Sequence, residues 1–322
     1  MTTFEIILYI ILGTVAFSVF MYILFALVAS HCVYTKLLKR QSVEQWSRTP
    51  TALEGLEKKM YEDGLLWYEQ NADKKQELQI ESDTLKLFGE YYDFGGDRCA
   101  IILTGRAESL PQGYYFAEPY SRLGFNVLLI DSRAHGLSEG DFNTAGFEES
   151  KDVLAWAKIV YETFAPRSIM FHGICVGAAA GIFALSNDDC PEYIDGIVVE
   201  GLFTNFGESL KNHMIERKKP TFLTCQFINM WMKHYTGHNM NFGPIDVISK
   251  INKPIMFLHG HQDFYSLPKH AQEMFDLCPA EIKMITWFDE GTHSLLRPVN
   301  KEQYDCAISH YVEMAYSDTK VS

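Results

Sequence analysis

The chain has 322 residues, enough for one large domain or two ordinary ones, and 47% of them are hydrophobic, as expected of a globular protein with a substantial core. It carries 28 Lys and Arg residues against 41 Asp and Glu residues, which gives a formal net charge of -13. Such a charge repels a phosphate backbone, and the only basic cluster, Lys36–Arg40, is modest, so we expect no nucleic-acid partner.

The cysteines are odd in number and scattered along the chain. No two of them form a C-x-x-C pair, so the spacing of zinc sites and of thioredoxin-like motifs is missing. Such a set is typical of reduced thiols, and we expect neither a disulfide framework nor a metal site or organic cofactor. The seven cysteines are Cys32, Cys99, Cys175, Cys190, Cys225, Cys278 and Cys306.

The N-terminal part of the chain contains a long uncharged stretch, Ile6–Ala29. This stretch is long enough to cross a bilayer as a helix. A cleaved signal peptide is the alternative, but no Lys or Arg precedes the stretch and Val28-Ala29-Ser30 is only a weak cleavage site. We therefore predict a transmembrane anchor over residues 1–30.

The charges beside this stretch predict its orientation. Lys36, Lys39 and Arg40 follow it closely, and no Lys or Arg precedes it. The positive-inside rule therefore places the rest of the chain in the cytoplasm, and the scattered free cysteines agree with a reducing compartment. We expect a single-pass membrane protein whose body faces the cytoplasm.

Residues 31–76 are interpreted as a juxtamembrane linker and a helix. Val33–Pro50 is basic and then polar, as expected of a linker. Thr51–Tyr68 has the apolar spacing of an amphipathic helix. This helix could pack on the body or lie near lipid headgroups, and we favour packing.

From residue 77 onward, a predicted hairpin (Leu78–Ile80 with Leu85–Tyr92) is followed by apolar runs that alternate with helical segments. This alternation predicts βαβ units and a mainly parallel sheet with helices on both faces. The predicted strands are Cys99–Leu103, Asn126–Ile130, Ser168–Phe171, Gly196–Val199, Pro254–Leu258 and Lys283–Trp287. The predicted helices are Gly113–Leu123, Phe147–Phe164, Val176–Ala184, Pro268–Phe275 and Glu302–Ala315.

One segment, residues 204–253, interrupts the alternation. It contains no evident strand and is rich in Phe, Met, Trp and Asn. Because a structureless loop of that length is unusual in a compact domain, we predict a small helical insertion.

The predicted strand at Ser168 runs into Gly173-Ile174-Cys175-Val176-Gly177 and then into an Ala-rich helix. A G-x-C-x-G motif between strand and helix is the context of a nucleophile elbow, with Cys175 as the nucleophile. The helix N-terminus would favour a thiolate and a developing oxyanion. A small buried cysteine behind a glycine-rich turn is the alternative that this motif alone leaves open.

Two later loops supply partners for such a nucleophile. Asp263 follows the strand at Pro254, and His293 follows the strand at Lys283. The order nucleophile, acid, histidine is the one found in this kind of fold. We therefore predict a Cys175-His293-Asp263 triad, in which His293 moves the proton and Asp263 orients the imidazole.

The predicted strand at Cys99 runs into Thr104-Gly105-Arg106, the loop in which one oxyanion-hole donor is expected. The backbone N–H groups of Arg106 and Val176 are the candidates. The glycine turn alone is weak evidence for this assignment, since loop geometry also accounts for it.

The segment Asp131–Ser138 closely resembles the D-x-R-G-H-G-x-S segment of α/β-hydrolases of the monoacylglycerol lipase and "serine aminopeptidase" type. Together with the elbow and the two loops, the resemblance covers residues 77–315. It implies an α/β-hydrolase core over 77–203 and 254–322, a cap over 204–253, and a scaffolding role for Arg133 and His135.

The sequence departs from these relatives at two positions. Cysteine in place of serine at the elbow resembles dienelactone hydrolase, polyhydroxyalkanoate synthase and bile-acid–CoA acyltransferase, whose activities differ. Thr104 replaces the usual histidine before the oxyanion glycine. Some relatives carry the acid where this chain has Glu200, so Glu200 is the alternative to Asp263.

The sequence as a whole predicts a membrane-anchored acyl hydrolase that acts on an ester or thioester of a small or lipid-like acyl group. An acyltransferase with the same triad is the first alternative. A non-catalytic receptor or scaffold that kept the pocket is the second. The oligomeric state is not predicted.

Overall fold

One mixed sheet of eight strands forms the centre of the computed structural model, which describes residues 1–50 and 53–317. The strands are β1 (Lys75–Ser82), β2 (Leu85–Tyr92), β3 (Arg98–Leu103), β4 (Asn126–Ile130), β5 (Ser168–Ile174), β6 (Ile194–Glu200), β7 (Ile255–Gly260) and β8 (Lys283–Phe288). Their order in the sheet is β1-β2-β4-β3-β5-β6-β7-β8. β2 is antiparallel to β1 and β4, and the other neighbours are parallel. The predicted α/β class is confirmed.

The observed strands agree with the predicted apolar runs to within a few residues. Every residue of β4, β5 and β7 is buried, which explains why these strands read as near-continuous apolar runs. β5 continues past its predicted end at Phe171 to Ile174, because it runs directly into the turn that holds Cys175.

Helices cover both faces of the sheet, and each face has its own hydrophobic core. One core contains Leu38 and Trp156, and the other contains Tyr115 and Tyr304. The helices are α1 (Thr3–Leu38), α2 (Gly55–Asn71), α3 (Leu110–Arg122), α4 (Phe147–Phe164), α5 (Val176–Leu185), α6 (Phe206–Glu216), α7 (Thr224–Thr236), α8 (Pro244–Val247), α9 (Pro268–Leu277) and α10 (Lys301–Tyr316). Ala72–Lys74 and Ile248–Lys250 form short 3₁₀ turns.

Helix α1 is longer than the predicted span and continues into the predicted linker. Its N-terminal side chains are exposed, whereas Tyr34 and Leu38 in its last turns are fully buried against the body. Among the described residues, it is the one helix long and apolar enough to cross a membrane. Helix α1 thus runs through the first residues of the predicted linker, because Tyr34 and Leu38, spaced i and i+4, form a buried stripe.

Helix α2 packs on α3, as the sequence interpretation favoured. Met60, Gly64 and Trp67 face the body and are buried. Gly64 sits so close to α3 that a Cβ there would lie 3.0 Å from the backbone nitrogen of Tyr115. The helix begins at Gly55, and the predicted first residues at positions 51 and 52 lie outside the described residues.

The described segment 204–253 contains α6, α7, α8 and a 3₁₀ turn, and no strand. It leaves the sheet after β6 and returns at β7. Its helix α7 packs along the last turns of α1, where the indole N–H of Trp231 donates to the hydroxyl of Ser30 over 3.1 Å. The insertion therefore lies against the base of the long apolar helix.

Candidate active site

Cys175 occupies a sharp turn between β5 and α5. Its φ of 52° and ψ of -109° are sparsely populated for a residue with a side chain, and such strain is typical of functional sites. A Cβ at Gly173 would collide with the backbone of Ala178, and one at Gly177 would overlap the carbonyl oxygen of Leu103. The two glycines are therefore sterically required on either side of Cys175.

The two predicted loops bring His293 and Asp263 into direct contact. Asp263 follows β7, His293 follows β8, and Nδ1 of His293 lies 2.7 Å from Oδ2 of Asp263. The other carboxylate oxygen, Oδ1, accepts the backbone N–H groups of Tyr265 and Ser266, each over 2.8 Å. Both oxygens of Asp263 are thus held in place.

The charges of Cys175 and Asp263 both act on the pKa of His293. Burial alone would lower the pKa of His293, but the charges of Cys175 and Asp263, and hydrogen bonds to both, raise it well above its ordinary value. Burial likewise opposes ionisation of Asp263, yet His293 holds the pKa of that carboxyl below its usual range. The structure thus brings Cys175, His293 and Asp263 together as one interacting set.

Glu200 lies next to the turn that holds Cys175, and its hydrogen bonds go to groups other than His293. Its backbone carbonyl accepts the Cys175 N–H over 2.9 Å. Its carboxyl accepts the Tyr304 hydroxyl over 2.6 Å and the Leu296 N–H over 3.3 Å. Since its hydrogen bonds go to these groups, the geometry pairs Asp263, and not Glu200, with His293.

Gly201 is a position that sequence reasoning missed. It has a φ of +60°, and a Cβ there would lie 3.0 Å from Cε1 of His293. Any side chain would press on the imidazole ring. The signal available in the sequence was a glycine directly after the strand that ends at Glu200.

The oxyanion-loop candidates border the same space. Among the described residues, the backbone N–H of Arg106 has no protein acceptor, and Val176 is the first residue of α5, where N–H groups have no partner within the helix. The carboxylate of Glu108, which sequence reasoning also missed, accepts the Gly105 N–H over 2.7 Å and fixes the loop.

The Arg106 side chain connects this loop to α1. Its guanidinium donates to the carbonyl oxygen of Leu37 over 2.9 Å. Burial lowers the pKa of Arg106, an effect that the charge of Cys175 opposes. Arg106 therefore interacts both with the end of α1, through the Leu37 carbonyl, and with the charge of Cys175.

The segment Asp131–Ser138 forms scaffold contacts. Arg133 binds Asp152 through two hydrogen bonds of 2.7 Å each, and the His135 ring lies 2.5 Å from the carbonyl oxygen of Arg106. Trp46 stacks on that ring with centroids 4.4 Å apart. The His135 contact fixes the backbone of Arg106, whose N–H is an oxyanion-hole candidate.

The loop that carries His293 is anchored by Arg297. This side chain is fully buried and binds Asp305 on α10 and Glu118 on α3, over 2.7 Å and 2.8 Å. A buried ion pair of this kind is strongly destabilising to break from one side, since it leaves an uncompensated charge. The loop position is therefore set by contacts with two helices.

No group of three or more His, Cys, Asp or Glu side chains that could hold a metal occurs in residues 1–50 and 53–317. All seven cysteines are free thiols.

No family model matches the sequence. Protein YqkD of Bacillus subtilis, described as uncharacterized, is 24% identical over 223 residues, which are 68% of this chain and 72% of YqkD. Alpha/beta hydrolase domain-containing protein 17C of Homo sapiens is 21% identical over 175 residues, 54% of this chain and 46% of that protein. The chain therefore spans less than half of the length of this second relative.

Solved structures share the arrangement of strands and helices. An esterase of Pyrococcus furiosus, Pf2001, superposes with a TM-score of 0.65 at 22% identity, covering 77% of this chain and 93% of the esterase. DcsB, solved with a substrate analogue, superposes with a TM-score of 0.59 at 15% identity, covering 75% and 99%. The chain has the α/β-hydrolase fold.

Within an α/β-hydrolase fold, the elbow after β5 and the loops after β7 and β8 all open at the carboxyl edge of the parallel strands. Ligands of open α/β sheets bind outside this edge. Cys175, Asp263 and His293 each stand at that edge, which makes it the candidate active site.

The buried carboxyl of Glu200 should make stability depend on pH. Burial raises its pKa from 4.5 to about 7, although Tyr304 and Leu296 donate to it. The pKa of Glu200 is higher in the folded state than in the unfolded state. The stability that neutral Glu200 contributes is therefore fully present below pH 4.5 and is lost as the pH rises through about 7. At about 1.4 kcal/mol per tenfold change in the equilibrium, ionising Glu200 costs about 3 kcal/mol.

Glu200→Gln should remove this dependence, since a glutamine side chain stays neutral and still accepts the Tyr304 hydroxyl. Urea unfolding at about pH 5 and pH 8 measures the effect against the wild type. Glu162→Gln, at an exposed position on α4, is the matched control. An equal loss of stability between the two pH values in wild type and Glu200→Gln would contradict the assignment.

Proposed function

We propose that this chain is a membrane-anchored acyl hydrolase that cleaves ester or thioester bonds through an acyl-cysteine intermediate. The observation that carries the proposal is the contact of Cys175, at a strained elbow, with a His293–Asp263 pair. The presence of esterases and other hydrolases among proteins of the same fold supports it. Cys175 is the proposed nucleophile, His293 the acid-base group and Asp263 the orienting carboxylate.

The reaction would proceed in two stages. The Cys175 thiol gives its proton to His293 as its sulfur attacks the acyl carbon, and the backbone N–H groups of Arg106 and Val176 stabilise the oxyanion. His293 gives a proton to the departing alcohol or thiol as the bond to the acyl carbon breaks. In the second stage His293 takes a proton from water, whose oxygen attacks the acyl carbon. The bond between sulfur and the acyl carbon then breaks, the acid is released, and His293 returns the proton to the Cys175 sulfur.

The surroundings of Cys175 favour this chemistry. The sulfur lies at the N-terminus of α5 and within the electrostatic reach of Arg106 and His293. A helix N-terminus and neighbouring cations stabilise a thiolate, the nucleophilic form of cysteine. A negative charge on sulfur would in turn keep His293 protonated and ready to donate to the leaving group.

The domain organisation belongs to the same proposal. We assign residues 1–30 to the anchor, 31–76 to the juxtamembrane linker and helix, 77–203 and 254–322 to the hydrolase core, and 204–253 to a cap. Helix α1 is long and apolar enough for the anchor, and Lys36, Lys39 and Arg40 at its end favour a cytoplasmic body.

Cys175 should react with iodoacetamide before the other six cysteines, and activity on a short ester should fall in step with labelling. Cys32 and Cys306 are more exposed, so preferential labelling of Cys175 would reflect reactivity and not access. Burial raises the pKa of the thiols of Cys99, Cys190, Cys225 and Cys278, which should make them slow. Peptide mass spectrometry over a time course measures the order.

Cys175→Ala should retain substrate binding and lose turnover, and intact-mass analysis should show an acyl adduct on the wild type alone. Cys306→Ala is the control and should behave as the wild type. Full hydrolysis by Cys175→Ala would overturn the proposed nucleophile. Acyl transfer to an added amine or alcohol in preference to water would instead support an acyltransferase with the same residues.

Asp263→Asn should move the alkaline limb of the pH profile of kcat/KM to lower pH. Asp263 helps to raise the pKa of His293, so its removal lets the imidazolium lose its proton at lower pH. We also expect kcat/KM at its optimum to fall by about tenfold or more, the order of a general acid-base contribution. Asp289→Asn, an exposed acid in the same region, is the control. A larger shift in Glu200→Gln than in Asp263→Asn would reverse the choice of acid.

A reporter fused after the last residue should be active only on the cytoplasmic side, because the cations after the apolar helix stay on that side. Activity of paired cytoplasmic and extracytoplasmic reporters in intact cells measures the orientation. Extracytoplasmic activity would contradict it and favour a cleaved signal peptide.

A further inference from the structure

A groove of about 520 Å³ runs between α1 and α6, outside the three-residue site described above. Tyr22, Phe25 and Ala29 line it on α1, and Leu210 and Met214 line it on α6. Its volume lies within the range of roughly 300–1,000 Å³ that is usual for small-molecule sites. The lining is suited to a hydrocarbon chain.

Three cations also line this groove: Lys36 at the end of α1, and Arg217 and Lys219 just after α6. All three are exposed, and none forms an ion pair within the described parts of the chain. Exposed lysines elsewhere, such as Lys58 and Lys158, pair with a glutamate one turn away. Three unpaired cations that line one groove, in a chain of net charge -13, indicate that the groove can take an anionic group.

The groove joins the apolar part of α1 to its charged end. Tyr22 and Ala29 belong to the uncharged stretch, and Lys36 lies about 20 Å beyond Tyr22 along the helix, at about 1.5 Å per residue. The Tyr22 hydroxyl donates to the carbonyl oxygen of Phe222 over 3.5 Å. The exposed side chains of Phe222 and Ile215 therefore stand on the insertion beside the apolar helix. A lipid could enter from the side without leaving an apolar environment.

The inner side of the groove adjoins the candidate active site. His213, which lines the groove, packs on Tyr265 with ring centroids 4.8 Å apart. Tyr265 in turn packs edge-on against His293 with centroids 5.2 Å apart. On the opposite wall, the Leu37 carbonyl accepts the guanidinium of Arg106. One wall thus ends beside Tyr265, which packs on His293, and the other ends beside Arg106, on which the charge of Cys175 acts.

We propose that this groove admits a bilayer lipid whose acyl ester is the substrate and whose headgroup carries a phosphate. The acyl chain lies along Tyr22, Phe25 and Ala29, and Arg217, Lys219 and Lys36 bind the phosphate. Hydrolysis breaks the bond between the acyl carbon and the glycerol oxygen, and water supplies the oxygen of the released acid. This inference rests on the proposed acyl-hydrolase function.

The cations decide between a phospholipid and other acylated molecules. An apolar groove alone would accept the chain of a neutral glyceride or of an acylated protein equally well. Phosphate oxygens form charge-assisted hydrogen bonds with Arg and Lys that these molecules lack at that position. A neutral glyceride of the same chain length is therefore the informative comparison.

The test uses the full chain reconstituted in vesicles of ether-linked phosphatidylcholine, which has no acyl ester to hydrolyse. Three probes are compared: 1-oleoylglycerol 3-phosphate, 1-oleoylglycerol, and the water-soluble p-nitrophenyl butyrate. Ala29→Phe places a ring in the groove, and Ala16→Phe, on the exposed part of α1, is its matched control. The double variant Arg217→Gln, Lys219→Gln removes two cations, and Lys58→Gln, Lys158→Gln is its control.

We expect the double variant to lower the ratio of phosphate-lipid to p-nitrophenyl butyrate hydrolysis by roughly tenfold or more, the order for losing two cations near an anionic lipid. The ratio for 1-oleoylglycerol should change far less. Ala29→Phe should lower both lipid ratios, and the two controls should lower neither.

The possible failures are distinguishable. If the wild type hydrolyses none of the three probes and forms no acyl adduct on Cys175, the acyl-hydrolase function itself is wrong. If p-nitrophenyl butyrate is hydrolysed but neither groove variant changes the lipid ratios, the groove is not the lipid site. If Ala29→Phe lowers both lipid ratios but the cation variant lowers both equally or neither, the phosphate assignment is overturned, and a neutral or protein-borne acyl group is the substrate instead.

Discussion

Cys175 holds a left-handed backbone conformation that only its surroundings can maintain. Gly173 and Gly177 allow the chain to turn without colliding with α5 and β3, and the Glu200 carbonyl accepts the Cys175 N–H. The direction of the side chain follows from this turn. His293 and Asp263 meet the sulfur at the position that this turn gives it.

The partner side chains are fixed by contacts outside the site. Asp263 uses one oxygen for His293 and the other for two backbone N–H groups, so it cannot rotate without losing hydrogen bonds. The loop that bears His293 is held by the buried Arg297 between α3 and α10. Gly201 leaves the space that the imidazole ring occupies. Three separate parts of the fold therefore hold Asp263 and His293 in position.

Helix α1 contributes to the body as well as to the proposed anchor. Its last turns bury Tyr34 and Leu38 in the core, and the Leu37 carbonyl binds the guanidinium of Arg106 in the oxyanion-loop candidate. A proposed membrane anchor that is continuous with a wall of the site gives the enzyme a fixed orientation to the bilayer. The proposed phospholipid groove follows from that continuity.

Local sequence patterns determined the α/β class, the order of the elements and the candidates Cys175, His293 and Asp263, with Glu200 left as the alternative acid. The catalytic roles of these residues stay predictions. Those features depend on short-range rules: burial periodicity, glycine sterics and motif order. The tertiary structure alone decided that Asp263 and not Glu200 meets His293, that Gly201 must lack a side chain, and that α1 extends onto the body. These depend on distances between strands far apart in the chain, which no local pattern encodes.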